Sequence, residues 1–220
     1  AKAVGTFDYY TPNKKEMRDG LALHKDAAER LPKRHHASIK EAVAIWQEAY
    51  ALGKEYGYRN SQVSVLAPTG TIGFMMDCDT TGVEPMIALV QHKKLVGGGY
   101  VKMPNRCVSP ALQQLGYQGG HLTAILETLE KTGEFPPEFL PANKKVFQTA
   151  IGADPISTEG HLLMMSAVQP FLSGGISKTV NMASTATVGD VANVYMRAWE
   201  LGLKCVAVYR DGCKASQPVS

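Results

Sequence analysis

The last third of the sequence contains the pattern that most restricts the fold. Residues 176–182 are predicted to form a strand, residues 188–201 an amphipathic helix, and residues 205–209 an apolar strand of the buried type. A strand, a helix and a strand in this order make a crossover unit, whose two strands pair in parallel. The sequence therefore predicts an α/β fold that contains at least this parallel pair.

Local end signals support the predicted helices. Thr187 and Asp190 form a variant of the capping box before the late helix, and Gly202 fits the position that ends it. Ser38 and Glu41 form a second capping box, which predicts a helix from Ser38 to about Gly57. The apolar face of the late helix is predicted to comprise Val191, Val194, Tyr195, Ala198, Trp199 and Leu201.

The rest of the chain alternates short helices with few strands. The predicted strands lie at 62–66 and 100–103, and the predicted helices at 72–76, 109–115, 122–132 and 157–168, the last capped by Ser157. Three or four strands make a small sheet for so much helix. This indicates a sheet that is incomplete on its own. Residues 1–37 are polar and irregular, and are predicted to be an amino-terminal arm or extension, with residues 38–220 as the main domain.

One stretch contains the candidate binding residues. Its sequence is Val65-Leu66-Ala67-Pro68-Thr69-Gly70-Thr71-Ile72-Gly73. A strand ends, the chain turns, and a helix begins, so unpaired backbone N–H groups and the positive end of the helix dipole face outward. The threonine hydroxyls add donors, and Gly70 lets the backbone approach a ligand closely. These residue types suit a phosphate. A threonine that only caps the helix is the alternative.

Three separated blocks resemble the class II, adenosylcobalamin-dependent ribonucleotide reductases. They are APTGTIGFMMDCDTTGVEP with the following QHKKLVGGGY, then HLLMMSAVQPFLSGGISKTVNM, then AWELGLKCVAVYRDGCKASQP. The blocks occur in the family's order and cover most of residues 60–220, whereas residues 1–37 show no such similarity. The resemblance implies the carboxy-terminal portion of a ten-stranded α/β barrel, in which strands 176–181 and 205–209 are late barrel strands.

The resemblance also implies the site. The substrate's phosphates would bind at Thr69, Gly70, Thr71 and Ile72, with Pro68 shaping the turn. Gly98, in the run Gly97 to Gly99, and Lys178 are candidates for proximity to the cofactor or the substrate. A flexible turn and a surface lysine are the respective alternatives.

The family's chemistry begins at a cysteine that becomes a thiyl radical, within a string resembling Asn-Pro-Cys-x-Glu. No such string occurs here, and no catalytic residue is therefore predicted in this chain. The resemblance implies a component of a ribonucleoside-diphosphate reductase that is inactive alone. A larger partner chain would carry the radical cysteine and most adenosylcobalamin contacts, as in bacteria that split the enzyme. Two alternatives to a split enzyme stay open. The sequence is a section of a longer chain, or it is a non-catalytic binding module derived from a reductase.

The last strand favours class II over class I. Class I enzymes pass the radical through a pair of tyrosines on this strand, but here the comparable residues include Ala207 and Val208. Neither side chain can carry a radical. A cofactor that generates its radical in place, such as adenosylcobalamin, does not need the pair.

Net charge, apolar runs and cysteine spacing indicate which kinds of partner and site are not expected. A net charge of +3 is too small to indicate nucleic-acid binding, and no apolar run is long enough to span a membrane, so a cytoplasmic protein is expected. The four cysteines, Cys78, Cys107, Cys205 and Cys213, fit no zinc-site spacing, and free thiols are expected. Packing roles are predicted for Cys78 and Cys205.

Five further side chains give weaker indications of a role. His35 and His36 are adjacent, which suits a solvated surface better than a metal site. His161 lies on an apolar helix and is predicted to be a core or boundary histidine, and Met164 and Met165 are predicted core residues. No metal site is predicted.

Overall fold

The computed structural model describes residues 1–32, 36–76, 78–94, 98–139, 141–152 and 154–214. Two compact units contain them. The first unit comprises residues 1–67, 163–177 and 197–206, and the second comprises 68–162, 178–196 and the carboxy-terminal residues from 207. The elements in chain order are α1 (Lys14–Glu29), α2 (His36–Tyr56), α3 (Gly70–Met75), β1 (Val90–Lys94), β2 (Tyr100–Pro104), α4 (Val108–Gln114), α5 (Gly119–Thr132), α6 (Pro141–Lys144), α7 (Thr158–Val168), β3 (Thr179–Met182), α8 (Val188–Glu200) and β4 (Ala207–Arg210).

The first unit is built on the pair α1 and α2, and it corrects the prediction that residues 1–37 are irregular. Leu21 and Ala28 on α1 are buried, and Met17 packs against the same core. This face is hard to recognise in the sequence because its third buried residue is His24, whose ring lies against Trp46 with the centroids 5.0 Å apart and the planes tilted by 49°. The ring nitrogens of His24 also bond to Pro170 O and Ser173 Oγ. A polar residue on a buried stripe hides the helical period.

Two other predictions for the first unit need correction. Helix α2 begins at His36, so Ser38 lies within the helix and is not its cap. The predicted strand 62–66 is reduced to one parallel bridge between Leu66 and Ile176, with Gly174 N donating to Ser64 O at 2.8 Å. Val63 and Val65 are exposed, so the alternating pattern gains no packing that would extend the pairing.

The second unit has a helical and aromatic core around α4 and α5. Its buried members are Leu89, Val90, Val108, Leu112, Ile125, Leu129, Phe139 and Phe147. Phe135 stacks on Phe139 with ring centroids 4.3 Å apart. The antiparallel hairpin β1–β2 follows residues 86–89. The sequence predicted β2 but missed β1, because Gln91 to Lys94 are polar and give no apolar alternation.

The crossover β3–α8–β4 is confirmed. The strands β3 and β4 pair in parallel, with Val180 opposite Val208. Thr187 and Asp190 exchange the capping-box hydrogen bonds, Thr187 N to Asp190 Oδ2 at 2.8 Å and Asp190 N to Thr187 Oγ1 at 3.2 Å. Gly202 has φ 69°, and Gly202 N and Leu203 N donate to Trp199 O and Ala198 O, the Schellman pattern that ends a helix.

Burial around this crossover differs from the prediction. On α8, Val194 and Ala198 are buried, but Tyr195 and Trp199 are exposed. Strand β4 is half-buried at most, and Cys205 before it is exposed, so the predicted buried strand and buried cysteine are wrong.

The described residues form four strands in two separate pairs. The fold is α/β, as predicted. No helix in the described residues combines the length and apolarity that crossing a membrane requires.

Candidate functional site

The turn between Leu66 and α3 has an unusual backbone. Thr69 has φ 50°, and it is the only non-glycine residue with positive φ in the part of the chain that the structure describes. A β-branched residue in this region is a genuine outlier that costs about 1–3 kcal/mol. Its carbonyl accepts the first helical hydrogen bond, from Gly73 N at 2.6 Å, so Thr69 is the N-cap of α3.

The N-cap position leaves three backbone donors at the start of α3. The amides of Gly70, Thr71 and Ile72 lie in the first turn of the helix, where backbone N–H groups have no acceptor within the helix. Thr71 and Ile72 are exposed, and a Cβ on Gly70 would meet no atom within 4 Å. The structure therefore places the predicted residues at an accessible helix start, where an anion is favoured.

The hydroxyl of Thr69 is engaged with a second segment. Thr69 Oγ1 donates to Pro68 O at 2.8 Å and accepts from Gly82 N at 2.9 Å. A Cβ on Gly73 would lie 3.2 Å from Thr81 Cγ2, so α3 also packs closely on this segment. We call residues 79–84 the bracing loop. Thr69 thus holds the turn to the bracing loop, and Thr71, whose own amide is one of the three, is exposed.

A buried ionic cluster lies behind the bracing loop. The ammonium of Lys178 donates to Glu84 Oε2 at 3.3 Å, to His161 Nδ1 at 2.6 Å and to Thr179 O at 2.9 Å. These three bonds use all three protons of an ammonium group. Glu84 Oε1 accepts from Thr179 N at 2.6 Å. Lys178 is only 3% exposed, so the alternative of a surface lysine is wrong.

Burial shifts the pKa values of two members of the cluster, Lys178 and His161. Burial lowers the pKa of Lys178, and the charge of Glu84 offsets part of this effect. Burial, with a smaller contribution from the Lys178 charge, lowers the pKa of His161 from 6.5 to about 4. His161 is therefore neutral at pH 7 and accepts at Nδ1, which puts its proton on Nε2. That buried N–H finds no acceptor among the described residues.

This histidine makes stability depend on pH. The unfolded state binds a proton below pH 6.5 and the folded state only below about pH 4, so the free energy of unfolding falls as the pH drops between these values. We expect His161 to contribute a loss of about 3 kcal/mol between pH 7 and pH 4. Denaturant unfolding at both pH values measures it. His161→Asn keeps an acceptor and does not titrate, so an unchanged acid dependence in that variant would contradict this expectation.

A cavity of about 180 Å³ lies between the bracing loop and β3. Its walls include Thr80, Thr81 and Glu84 from the loop, with Thr179 and Asn181 from β3. A cavity of about 870 Å³ lies within the first unit, against α1, and contains none of the predicted site residues. The smaller cavity is the relevant one, because it borders the loop that Thr69 holds.

The structure confirms some of the predictions for the cysteines and methionines and contradicts others. All four cysteines are free, as predicted, but all are exposed, so the packing role predicted for Cys78 is wrong. Met165 is fully buried as predicted, whereas Met164 is half exposed. The described residues contain no group of three or more potential metal ligands. Glu84, a member of the buried ionic cluster, is indicated in the sequence only by its place in the block containing Gly82-Val83-Glu84-Pro85.

The proximity of Gly98 and Lys178 to the cofactor or the substrate stays a prediction. Lys178 is enclosed and fully bonded within its own cluster. Gly98 has φ 89° and is exposed, and a Cβ there would meet no described atom within 4 Å, so the described residues make no cradle around it. Gly97 lies outside the described residues.

Comparison with known proteins identifies the family. The family model of the ribonucleotide reductase barrel domain matches residues 1–209. The chain belongs to this family. The match begins at residue 1, which overturns the expectation that residues 1–37 show no similarity. The boundary predicted after residue 37 stays a prediction.

Curated relatives indicate the class II branch of the reductases. The chain is 46% identical over 227 residues to the vitamin B12-dependent ribonucleotide reductase of Rhodopirellula baltica, covering all of this chain and 22% of that protein. A protein of the same name from Streptantibioticus cattleyicolor is 46% identical over 225 residues, with 38% of its length covered. The vitamin B12-dependent ribonucleoside-diphosphate reductase of Mycobacterium tuberculosis is 36% identical over 163 residues, which is 74% of this chain and 22% of that protein. The chain thus spans well under half the length of these relatives.

A solved structure supports the reductase fold. The class Id ribonucleotide reductase alpha subunit of Actinobacillus ureae matches with a TM-score of 0.53 and 20% sequence identity. The match covers 89% of this chain and 34% of that subunit. At this identity the likeness concerns the fold alone.

Proposed function

We propose that this chain is the substrate-phosphate-binding component of a vitamin B12-dependent ribonucleotide reductase, which converts ribonucleotides to deoxyribonucleotides by a thiyl-radical mechanism. The observation that carries the proposal is the strained backbone of Thr69 at the start of α3. Strain of this kind persists where surrounding contacts hold it, and it clusters at binding sites. The contact with Gly82 supplies such a restraint.

The chemistry of the turn suits the phosphates of a ribonucleoside diphosphate. The amides of Gly70, Thr71 and Ile72 and the hydroxyl of Thr71 are accessible donors, and the helix dipole adds a partial positive charge. Pro68 restricts the backbone before Thr69 and so helps to set the turn. Because these groups are fixed before substrate arrives, little ordering is required on binding.

The remaining chemistry is proposed to come from elsewhere. The string Asn-Pro-Cys-x-Glu does not occur in the sequence, so hydrogen abstraction is assigned to a larger partner chain. Adenosylcobalamin, bound mainly by that partner, would supply the radical in place. The late strands β3 and β4 would contribute to a ten-stranded barrel that is completed by the partner. A longer chain containing both parts is the other arrangement.

Reconstitution tests the proposal. The 220-residue chain, mixed with the polypeptide that carries the Asn-Pro-Cys loop and with adenosylcobalamin, is expected to reduce ribonucleoside diphosphates, whereas either polypeptide alone is expected to be inactive. Product formation by chromatography is the measurement. Reduction by the 220-residue chain alone, or inactivity of the complete mixture, would contradict the proposal. A stable complex without reduction would favour a non-catalytic binding module.

A further inference from the structure

Glu84 connects two segments of the second unit through three separate groups. Its Oε2 accepts from Lys178, its Oε1 accepts from the backbone amide of Thr179 at the start of β3, and its own amide donates to Thr81 O at 3.1 Å. The side chain therefore bonds to β3 and the preceding residue, while the backbone belongs to the bracing loop. Residues 84 and 179 are far apart in sequence, so this attachment depends on the tertiary fold.

The bracing loop continues directly to the turn. Gly82, two residues before Glu84, donates its amide to Thr69 Oγ1 at 2.9 Å. Thr81, which accepts from Glu84 N, lies beside Gly73 of α3. A short path of contacts thus runs from β3 through Glu84 and the loop to the strained N-cap. Movement of the loop away from β3 would weaken the contact that Gly82 makes with Thr69.

We propose that Glu84 is a positioning residue, which fastens the bracing loop to β3 and so keeps Thr69 and the three following amides in the geometry that binds phosphate. The inference rests on the proposed function of the turn. Glu84 itself does not touch the substrate's phosphates, because both its oxygens are used within the protein. Lys178, itself bonded to His161, holds the Oε2 side of the carboxylate in place.

Glutamine at position 84 separates this role from simple packing. Glu84→Gln preserves the volume and one oxygen for Thr179 N, but its NH₂ group would face the Lys178 ammonium, donor against donor. The carboxylate is partly exposed, at 23%, so the side chain can turn outward and release the loop. We expect the global fold to survive and the bracing loop to loosen.

The test uses the complete reductase that contains this chain, with Glu84→Gln. We expect KM for a ribonucleoside diphosphate to rise about tenfold with kcat within about twofold, since ground-state and transition-state binding of the phosphates weaken equally. Hydrogen exchange followed by mass spectrometry should show faster exchange in peptides covering the bracing loop. Glu127→Gln is the matched control, because Glu127 pairs with Lys131 on the exposed face of α5.

The two readouts distinguish the possible failures. Unchanged exchange in the bracing loop would overturn the role of Glu84, as would a fall in kcat with KM unchanged. Faster exchange with an unchanged KM would overturn the proposed substrate site and leave Glu84 as the loop's anchor. If Glu84→Gln fails to fold, the double variant Glu84→Gln/Lys178→Met removes the clash between the two donors, and the same loop exchange and rise in KM are then expected of it.

Discussion

Replacing Lys178 by Met is expected to lower the free energy of unfolding by about 3 kcal/mol. The side chain is 3% exposed, and its ammonium is bonded to Glu84, His161 and the carbonyl of Thr179. Methionine preserves most of the volume but leaves three acceptors unpaired, one of them charged. We choose the lower end of the usual range for a broken buried pair, since Glu84 can regain water through its exposed part.

Denaturant unfolding of the wild type and the variant measures this loss. Lys131→Met is the matched control, because Lys131 makes a 3.9 Å pair with Glu127 and is 76% exposed, so little change is expected. The double variant Lys178→Met/Glu84→Gln should recover part of the loss, because it removes the uncompensated charge. Equal stabilities of Lys178→Met and Lys131→Met would show that the cluster does not stabilise the fold.

Replacing Thr69 and Thr71 together by Val is expected to raise the KM of the proposed reductase for its nucleotide, with the charge-assisted bond lost at Thr71 contributing about 1.5–3 kcal/mol. The two hydroxyls act differently. Thr71 would lose a donor to the phosphate, whereas Thr69 would lose the oxygen that accepts from Gly82 N. Valine is also β-branched and has nearly the shape of threonine, so the change removes the hydroxyls with little change in side-chain volume.

Steady-state kinetics of the reconstituted reductase measure this effect. The control is Thr123→Val/Thr128→Val, which removes two hydroxyls that donate to carbonyls within α5. A rise in KM of at least about tenfold, absent from the control, is the expected result. A rise of the same size in both double variants would mean that the turn has no specific part in binding substrate.

Features encoded by neighbouring residues were predicted well from the sequence. The capping box of Thr187 and Asp190, the cap by Ser157, and the helix stop at Gly202 all involve residues within a few positions of each other. Their geometry depends little on the rest of the fold. The start of α3 next to Thr69 was predicted for the same reason, although the hydroxyl contact with Gly82 was not.

Features that depend on distant residues were missed. Glu84 and Lys178 are 94 residues apart, and nothing near either residue indicates the other. Helical periodicity shows which residues share a face, but not which face becomes covered. This is why Trp199 and Met164 were predicted to be buried and are exposed. His24 shows the opposite case, in which a polar residue completes a buried stripe.

Strand β4 has a practical consequence for handling the protein. In the described part of the chain it pairs only with β3, so its other side presents backbone donors and acceptors without a neighbouring strand. An edge of this kind is a template for pairing with another molecule and promotes aggregation. Samples of the 220-residue chain are therefore best kept dilute, and coexpression with the proposed partner chain should reduce aggregation.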